Sequence, residues 1–505
     1  MTARTAILLG VLAAAYVVVL THFSPLALQD FPNHLARAVV IADLIFHHGR
    51  EFGSTFSFQF QLAPYILGDL VLAGAVELFG ASTAAALWCV LAFLALPAAL
   101  VLYLRALRVP PDVEFLLLAL SLYLATDAFF VLGFLSFRLA VAFILIALAL
   151  VEGLRREASA ALYAVFVLVV ITGYLVHMTT IVFLAAAMTV SALVRLRFRT
   201  TTVGREALLF LPVALVLAWQ FLAAGGYRDS HDVVAELYVW GTPLSKSLNL
   251  LWDLRRYRAS WDALTGVLLL ASLWSARGAF ARRALLEPAT LELWALALTF
   301  LGIYLVLPYT YAQAAFVDVR ALALLPIFAI LALAATREGS GANAPVPATT
   351  VVLTALLALT NLAYLTRELD KASIWLRPYR ALVSLVPRGS TVLPVYTASK
   401  EGGIRPLLHV AEFLVIDRAA VSPYLFAGDT GAPMTYFRYR HRPYAPDEEW
   451  YTRHLDAVEW HQVATDYGFI LVMKPFDFKR ISVDPVSISS NVAGSLLTLP
   501  RPPAP

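Results

Sequence analysis

Eleven stretches of the chain are apolar and long enough, or nearly so, to cross a lipid bilayer. A hydrocarbon core about 30 Å thick needs roughly 17–25 helical residues. Inside it the backbone must satisfy its own hydrogen bonds, so such stretches can only be helices or closed barrels. They fall at roughly 6–23, 84–104, 115–132, 136–152, 159–175, 178–195, 207–224, 260–276, 289–307, 320–336 and 349–366. Composition agrees: hydrophobic residues make up 60% and charged residues 14%, where a soluble domain carries about 25% charge. A disordered chain, a disulfide scaffold and an ordinary cytosolic enzyme are excluded. The net charge of +4 is small for 505 residues and gives no case for nucleic acid. The single cysteine, Cys89, sits in an apolar run, so no disulfide forms within the chain.

Arginines orient the bundle, because basic residues in short connections mark the cytoplasmic side. Arg4, the pairs Arg105/Arg108 and Arg155/Arg156, the group Arg195, Arg197, Arg199 and Arg205, the group Arg277, Arg282 and Arg283, and Arg337 all fall on one side. The opposite turns near 133–136 and 173–179 are nearly free of them, with Arg138 just beyond the first. The loop 225–259 dissents, holding Arg228, Lys246, Arg255, Arg256 and Arg258 on the outer side. The first stretch reads as a retained signal anchor rather than a signal peptide, since no small-x-small cleavage pattern follows Leu20. A further apolar stretch, 64–80, would upset the parity of this arrangement and contains Asp69 and Glu77. A carboxylate at the bilayer centre costs about 2.5–3.5 kcal/mol, so 64–80 is read as a re-entrant or surface-lying helix within one outer loop, 24–83. The amino terminus is then cytoplasmic and the carboxyl terminus outside.

After Asp370 the chain changes character. Residues 370–505 contain charge clusters, turn signals (VPRGS, SKEGG, GDTGAP) and short apolar runs, STVLPVY, EFLVID and YGFILVM, that read as strands. The expected fold class is therefore an all-α polytopic membrane bundle of about eleven transmembrane helices over 1–369, followed by an extracytoplasmic α/β domain over 370–505. That domain shows no phosphate loop, metal spacing or nucleophile elbow, and reads as a cap or recognition module.

Polar residues kept next to hydrocarbon are candidates for function. The densest group lies in the first outer loop, LALQDFPNHLARAVVIADLIFHHGREF. Pro32 stands ahead of a helical pattern over 33–48. His34 and Arg37 share a helix face near its start, and Asp30 lies just ahead of it. Asp30 can serve as general base for an acceptor hydroxyl, or hold a divalent ion against a phosphate. It can also be an ordinary helix cap, with Asn33 as a rival. His177 in GYLVHMTT can reach a headgroup phosphate or cap a helix. Arg138 in GFLSFRLA can snorkel to the interface or clamp a phosphate. Asp318 and Arg320 open the tenth stretch from outside; two residues apart, they do not share a helix face, and the arginine is placed to bind a lipid-borne phosphate. Tyr238, Trp240, Trp252 and Trp261 read as an interfacial belt, some of them able to line a sugar site.

In layout the chain resembles the GT-C superfamily of integral-membrane glycosyltransferases, which includes protein O-mannosyltransferases and lipid A aminoarabinose transferases. The likeness rests on a signal-anchor helix followed at once by an acidic residue (Asp30 in QDFPNH), a juxtamembrane helix, a further helix introduced by Pro64, the outer turns GFLSF and YLVH, a late Asp-x-Arg opening a span, and an external α/β domain. Where many GT-C proteins carry an acidic pair, this chain has Gln29-Asp30. The resemblance implies transfer of a sugar from a polyprenyl-phosphate donor on the outer face of a bacterial-type inner membrane, in a multi-pass protein with a periplasmic domain. Asp30 would deprotonate the acceptor, which can be a glycan, lipid or protein. Arg320, with Arg138 or His177, would steady the departing lipid phosphate. The single carboxylate leaves the need for a metal open; a divalent ion, magnesium or manganese, would rest on Asp30.

A transporter or flippase is the main rival. Transporters favour mid-bilayer charges and inverted repeats, and here the spans hold few interior charges apart from some such as Asp127. A non-catalytic assembly protein, or a ligase using the same lipid-linked donors, completes the alternatives. The enzyme reading expects Asp30, His34, His177 and Arg320 to converge on one outward-facing cavity.

Overall fold

The computed structural model describes residues 3–26, 28–109, 111–224, 238–276, 288–311, 315–335, 347–395, 407–428, 436–446, 458–473 and 482–500. Arg228, Arg277, Arg282, Arg283, Arg337, the SKEGG turn and the last five residues lie outside these.

The helices follow the apolar stretches. In chain order the elements are α1 (Ala3–His22), α2 (Phe31–Phe46), β1 (Phe56–Phe58), α3 (Ile66–Phe79), α4 (Ala81–Ala106), α5 (Pro111–Leu124), α6 (Ala128–Val131), α7 (Leu135–Arg156), α8 (Ala160–Val176), α9 (Thr179–Arg197) and α10 (Val203–Ala224). They continue with β2 (Tyr238–Val239), α11 (Pro243–Asn249), α12 (Ala259–Ala276), α13 (Pro288–Val306), β3 (Thr310–Tyr311), α14 (Leu325–Ala335) and α15 (Ala348–Val383). The tail holds β4 (Val392–Val395), α16 (Phe413–Arg418), β5 (Phe437–Tyr439), α17 (Trp460–Asp466), β6 (Phe469–Met473), β7 (Ser487–Ser490) and β8 (Gly494–Thr498).

Among the described residues, eight helices are long and apolar enough to cross a membrane: Ala81–Ala106, Glu114–Val131, Leu135–Arg156, Thr179–Arg197, Val203–Leu222, Ala259–Ala276, Pro288–Val306 and Ala348–Val383. Shorter apolar helices at Ile7–His22, Ala160–Val176 and Val319–Leu333 coincide with the other three stretches expected from sequence. Eight, rather than eleven, thus reach spanning length by this measure. The tenth stretch opens as a 3-10 turn, Val319–Ala323, before α14 begins. Helix α3 has 14 residues, or about 21 Å at 1.5 Å per residue, too short to cross. Helix α15 runs for 36 residues without a break, so the change of composition near Asp370 falls inside a helix.

The chain divides into two compact units. One comprises Met1–Val18, Val90–Phe130 and Leu135–Tyr364; the other comprises Val19–Cys89, Val131–Phe134 and Leu365–Pro505.

In the first unit, α7, α8, α9, α10, α13 and α14 pack on one another. A buried charge network joins the ends of four helices: Arg155 meets Glu152 at 2.9 Å and Glu206 at 2.7 Å, and Arg195 meets Glu152 at 2.7 Å and Glu292 at 2.8 Å. The loop after β2 turns two of its charges, Lys246 and Arg256, inward. Arg256 is 2% exposed, bonds the side chain of Asn361 and the carbonyl of Tyr123, and stacks on the Tyr123 ring. Lys246 is buried likewise. Buried, partnered cations do not report which side of a membrane a loop occupies, so two of the dissenting charges carry no topological weight.

The second unit contains a four-stranded sheet in the order β4-β6-β8-β7, with β4 and β6 parallel and the other pairs antiparallel. Alternate residues serve opposite faces: Val392, Leu471 and Met473 join one core, with Leu376, Tyr379 and Leu414, while Leu393, Ile470 and Val472 join another, with Tyr424 and Tyr467. STVLPVY and YGFILVM form the strands expected of them. EFLVID does not; it is the helix α16, closed by Ala419 in the left-handed region. A short apolar run has no period to separate strand from helix. Helix α2 lies within this unit against α3, β1, the 3-10 turn Val410–Glu412 and α16. Strand β1 pairs antiparallel with β5, Phe56 opposite Tyr439 and Phe58 opposite Phe437.

Candidate active site

In the second unit the chain enters α2 through Gln29 and Asp30, whose backbone N–H groups bond the carbonyls of Val131 at 3.3 Å and Leu132 at 2.9 Å. The turn that receives them requires glycine. Gly133 has φ +82°, and a Cβ there would stand 2.5 Å from the Phe31 nitrogen. The GFLSF turn thus braces the Asp30 backbone. Gly133→Ala should lower the thermal unfolding midpoint, since the backbone conformation alone costs a side-chain-bearing residue about 1–2 kcal/mol, and the contact adds to that. An unchanged unfolding midpoint in Gly133→Ala would show the brace to be dispensable.

Asp30 occupies the N-cap position of α2 but makes no capping hydrogen bond with its side chain. Asn33 does not cap either. It bonds the tail instead, donating to the Tyr424 carbonyl at 2.8 Å and accepting from the Phe426 N–H at 2.7 Å. The Asp30 carboxylate, 13% exposed, faces His409, with Oδ1 3.4 Å from Nε2. Oδ1 makes no hydrogen bond among the described residues.

One turn into α2, His34 and Arg37 meet as their spacing predicts: Arg37 Nη2 donates to His34 Nδ1 at 3.0 Å. An arginine can only donate, so Nδ1 is the acceptor and the proton of the neutral ring is on Nε2. Burial, reinforced by Arg37 and His409, holds the His34 imidazole well below its usual range, so it is uncharged near neutrality. His34 and His409 both contact Phe426, with ring centroids 5.7 and 5.0 Å away. Arg37 also donates to Asp69 at 2.6 Å, and the Tyr436 hydroxyl donates to the other Asp69 oxygen at 2.6 Å. Burial alone would weaken the Arg37 guanidinium's hold on its proton; the Asp69 carboxylate more than reverses this. Asp69, which sequence reasoning treated as a cost in a near-membrane helix, is therefore the counter-ion that fixes Arg37. At the far end of α3, Glu77 meets His47 at 2.9 Å on the surface.

Behind His409 lies Glu412, 1% exposed, accepting from Ser422 Oγ at 2.8 Å. Burial, partly offset by Ser422 and His409, raises its carboxyl to about 7. The folded state therefore holds a proton that the unfolded chain releases near the ordinary carboxylate value, and stability falls as pH rises from about 4.5 to about 7. Glu412→Gln keeps the acceptor for Ser422 and removes this dependence. The variant should match the native protein at pH 5 and exceed it by about 3 kcal/mol at pH 8. Thermal unfolding at the two pH values checks this, and equal differences at both would contradict it.

The remaining candidates belong to the first unit. Arg138 is 1% exposed and paired with Asp127 at 2.6 Å, with a second bond to the Leu124 carbonyl at 2.9 Å. It is held inside rather than snorkelling to an interface. His177 closes α8, and its Nδ1 accepts from the Thr179 N–H at 3.2 Å, tying it to the start of α9. The Phe137 ring brings His177 and Arg320 together: the histidine ring lies 5.6 Å from its centroid and the Arg320 guanidinium 5.9 Å. Asp318 caps the turn that carries Arg320, accepting from the Val319 N–H at 2.8 Å, and pairs with Lys246 Nζ at 3.1 Å. Lys246 also donates to the carbonyls of Tyr304 and Leu307, each at 2.7 Å. Trp240, Gly241, Ser245, Lys246, Asn249, Tyr309 and Asp318 border a cavity of about 170 Å³. Trp252 lies tilted against Phe316 and Trp261 stacks on Tyr364, so both face partners within the protein.

Sequence reasoning missed His409, Glu412, Tyr436 and the role of Lys246. Lys246 alone left a signal, as a cation in the loop whose charges conflicted with the rest. Among the described residues no group of three or more His, Cys, Asp or Glu side chains is arranged to hold a metal. Among the described residues, the titratable side chain that faces Asp30 is a histidine rather than a second carboxylate.

No protein-family model matches the sequence, and neither does any curated protein. Among solved structures, the chain resembles ArnT from Cupriavidus metallidurans, solved bound to undecaprenyl phosphate, with a TM-score of 0.56 and 13% identity over 98% of each chain. A mycobacterial arabinofuranosyltransferase, AftD, is also similar, with a TM-score of 0.49 and 15% identity over 99% of this chain and 42% of that one. The chain shares its fold with ArnT, and eight of its described helices are long and apolar enough to cross a membrane.

Proposed function

We propose that the protein transfers a sugar from a polyprenyl-phosphate donor to a hydroxyl-bearing acceptor, with Asp30 as general base. The observation that carries this is the Asp30 carboxylate, which stands at a helix start yet caps nothing and is braced by a turn that only glycine fits. The shared fold with ArnT, itself solved with undecaprenyl phosphate, supports the lipid-linked donor.

In the proposed reaction Asp30 takes the proton of the acceptor hydroxyl as its oxygen forms a bond to the anomeric carbon. The bond from that carbon to the phosphate oxygen breaks, and its electron pair leaves with the polyprenyl phosphate. The proton then passes from Asp30 to solvent. Within the first unit, Arg320 and His177 are the groups proposed to bind a lipid-borne phosphate, with Asp318 holding the turn that carries Arg320. The acceptor is a glycan, lipid or protein on the outer face of a bacterial inner membrane, with the amino terminus cytoplasmic and residues 370–505 periplasmic.

The purified protein in lipid vesicles should transfer sugar from undecaprenyl-phosphate sugars and not from the corresponding nucleotide sugars. Transfer from the nucleotide sugars alone would refute the lipid-linked donor.

A further inference from the structure

Asp30 and His409 lie 379 residues apart in sequence and 3.4 Å apart in space. Three independent features hold them in this relation. The Asp30 backbone is pinned to the 131–134 turn. Asn33, three residues on, grips the tail at Tyr424 and Phe426. His409, at the head of the 3-10 turn Val410–Glu412, packs its ring against the same Phe426.

We propose that His409 is a positioning residue for Asp30: its Nε2 stands 3.4 Å from Oδ1, and an N–H donated to Oδ1 when the site fills fixes the carboxylate's rotation and leaves Oδ2 to take the proton from the acceptor. This deepens the general-base reading and rests on it. A carboxylate oxygen can only accept, so the facing nitrogen carries the proton. Separations of this length are common in sites without substrate and shorten when the site is filled. A base free to rotate would present either oxygen at varying distance; one held by a donor presents a single oxygen, the kind of orientation that bears on the rate of the chemical step rather than on binding. The other titratable or charged groups around the pair are His34, Arg37 and Asp69 on the α2–α3 side and Glu412 behind the histidine. On this view the tail completes the catalytic machinery, where sequence reasoning gave it a capping or recognition role.

The test uses the full chain in detergent and two variants. His409→Ala removes the donor, and His409→Gln keeps an N–H at the reach of Nε2. With a panel of undecaprenyl-phosphate pentoses and hexoses, kcat should fall about 10- to 100-fold in His409→Ala with KM for the lipid donor unchanged, and His409→Gln should recover most of the loss. Native kcat in His409→Ala overturns the proposal, even where Asp30→Asn is inactive and the base reading stands. Equal loss of kcat in both variants, with lowered unfolding midpoints in both, assigns His409 to structure alone and also overturns it. Normal turnover by Asp30→Asn removes the base reading itself, whatever the His409 variants show.

Discussion

Asp30→Asn should lower sugar transfer by about 10²- to 10⁴-fold while leaving the thermal unfolding midpoint nearly unchanged. Asparagine matches aspartate in shape and cannot accept the acceptor's proton. The substitution is clean because the Asp30 side chain makes no capping bond, and its backbone bond to Leu132 does not depend on side-chain identity. An ordinary cap lost at this position would instead cost about 1 kcal/mol of stability and little activity. The two roles thus separate in a pair of measurements: turnover of an undecaprenyl-phosphate sugar and melting in detergent. Native turnover in a folded Asp30→Asn protein would exclude the base.

Asp69→Ala should cost about 3–5 kcal/mol and lower the unfolding midpoint on the order of 10 °C. Removing the carboxylate strands the Arg37 guanidinium, 1% exposed, without its counter-ion and leaves the Tyr436 hydroxyl without its acceptor. Asp69→Asn should recover little, because an amide does not neutralise Arg37. Replacing both members, Arg37→Leu with Asp69→Leu, should recover much of the loss, since two apolar side chains need no solvation. If Asp69→Ala alone melted like the native protein, the pair would have no structural weight. Activity adds a second readout: Arg37 bonds His34, one turn from Asp30, so the double substitution should restore stability further than it restores transfer.

What could be read from sequence divides along a physical line. Helices announce themselves locally, and the apolar stretches mark them. His34 and Arg37 were legible as neighbours because a helix brings residues three apart onto one face. Asp30 was legible because a carboxylate next to hydrocarbon needs a reason to be there. The partners that give these residues their setting were not, because Tyr424, Tyr436 and His409 come from the other end of the chain and no local pattern encodes that return. The EFLVID run shows the same limit at short range: three adjacent buried residues, Phe413, Leu414 and Val415, fit a covered strand or a short helix equally well. Lys246 shows a different failure. Its charge was read as a topological marker, whereas the structure spends it on Asp318 and two carbonyls.

The union of early and late segments in the second unit has a consequence for synthesis. A ribosome delivers Asn33 before its partner Tyr424 by 391 residues, and Phe56 before Tyr439 by 383. Until the tail emerges, the opening loop has neither its strand partner nor the histidine beside its aspartate. A nascent chain stopped in the middle of translation therefore carries an opening loop whose packing partners do not yet exist, and the second unit closes only with the last part of the polypeptide.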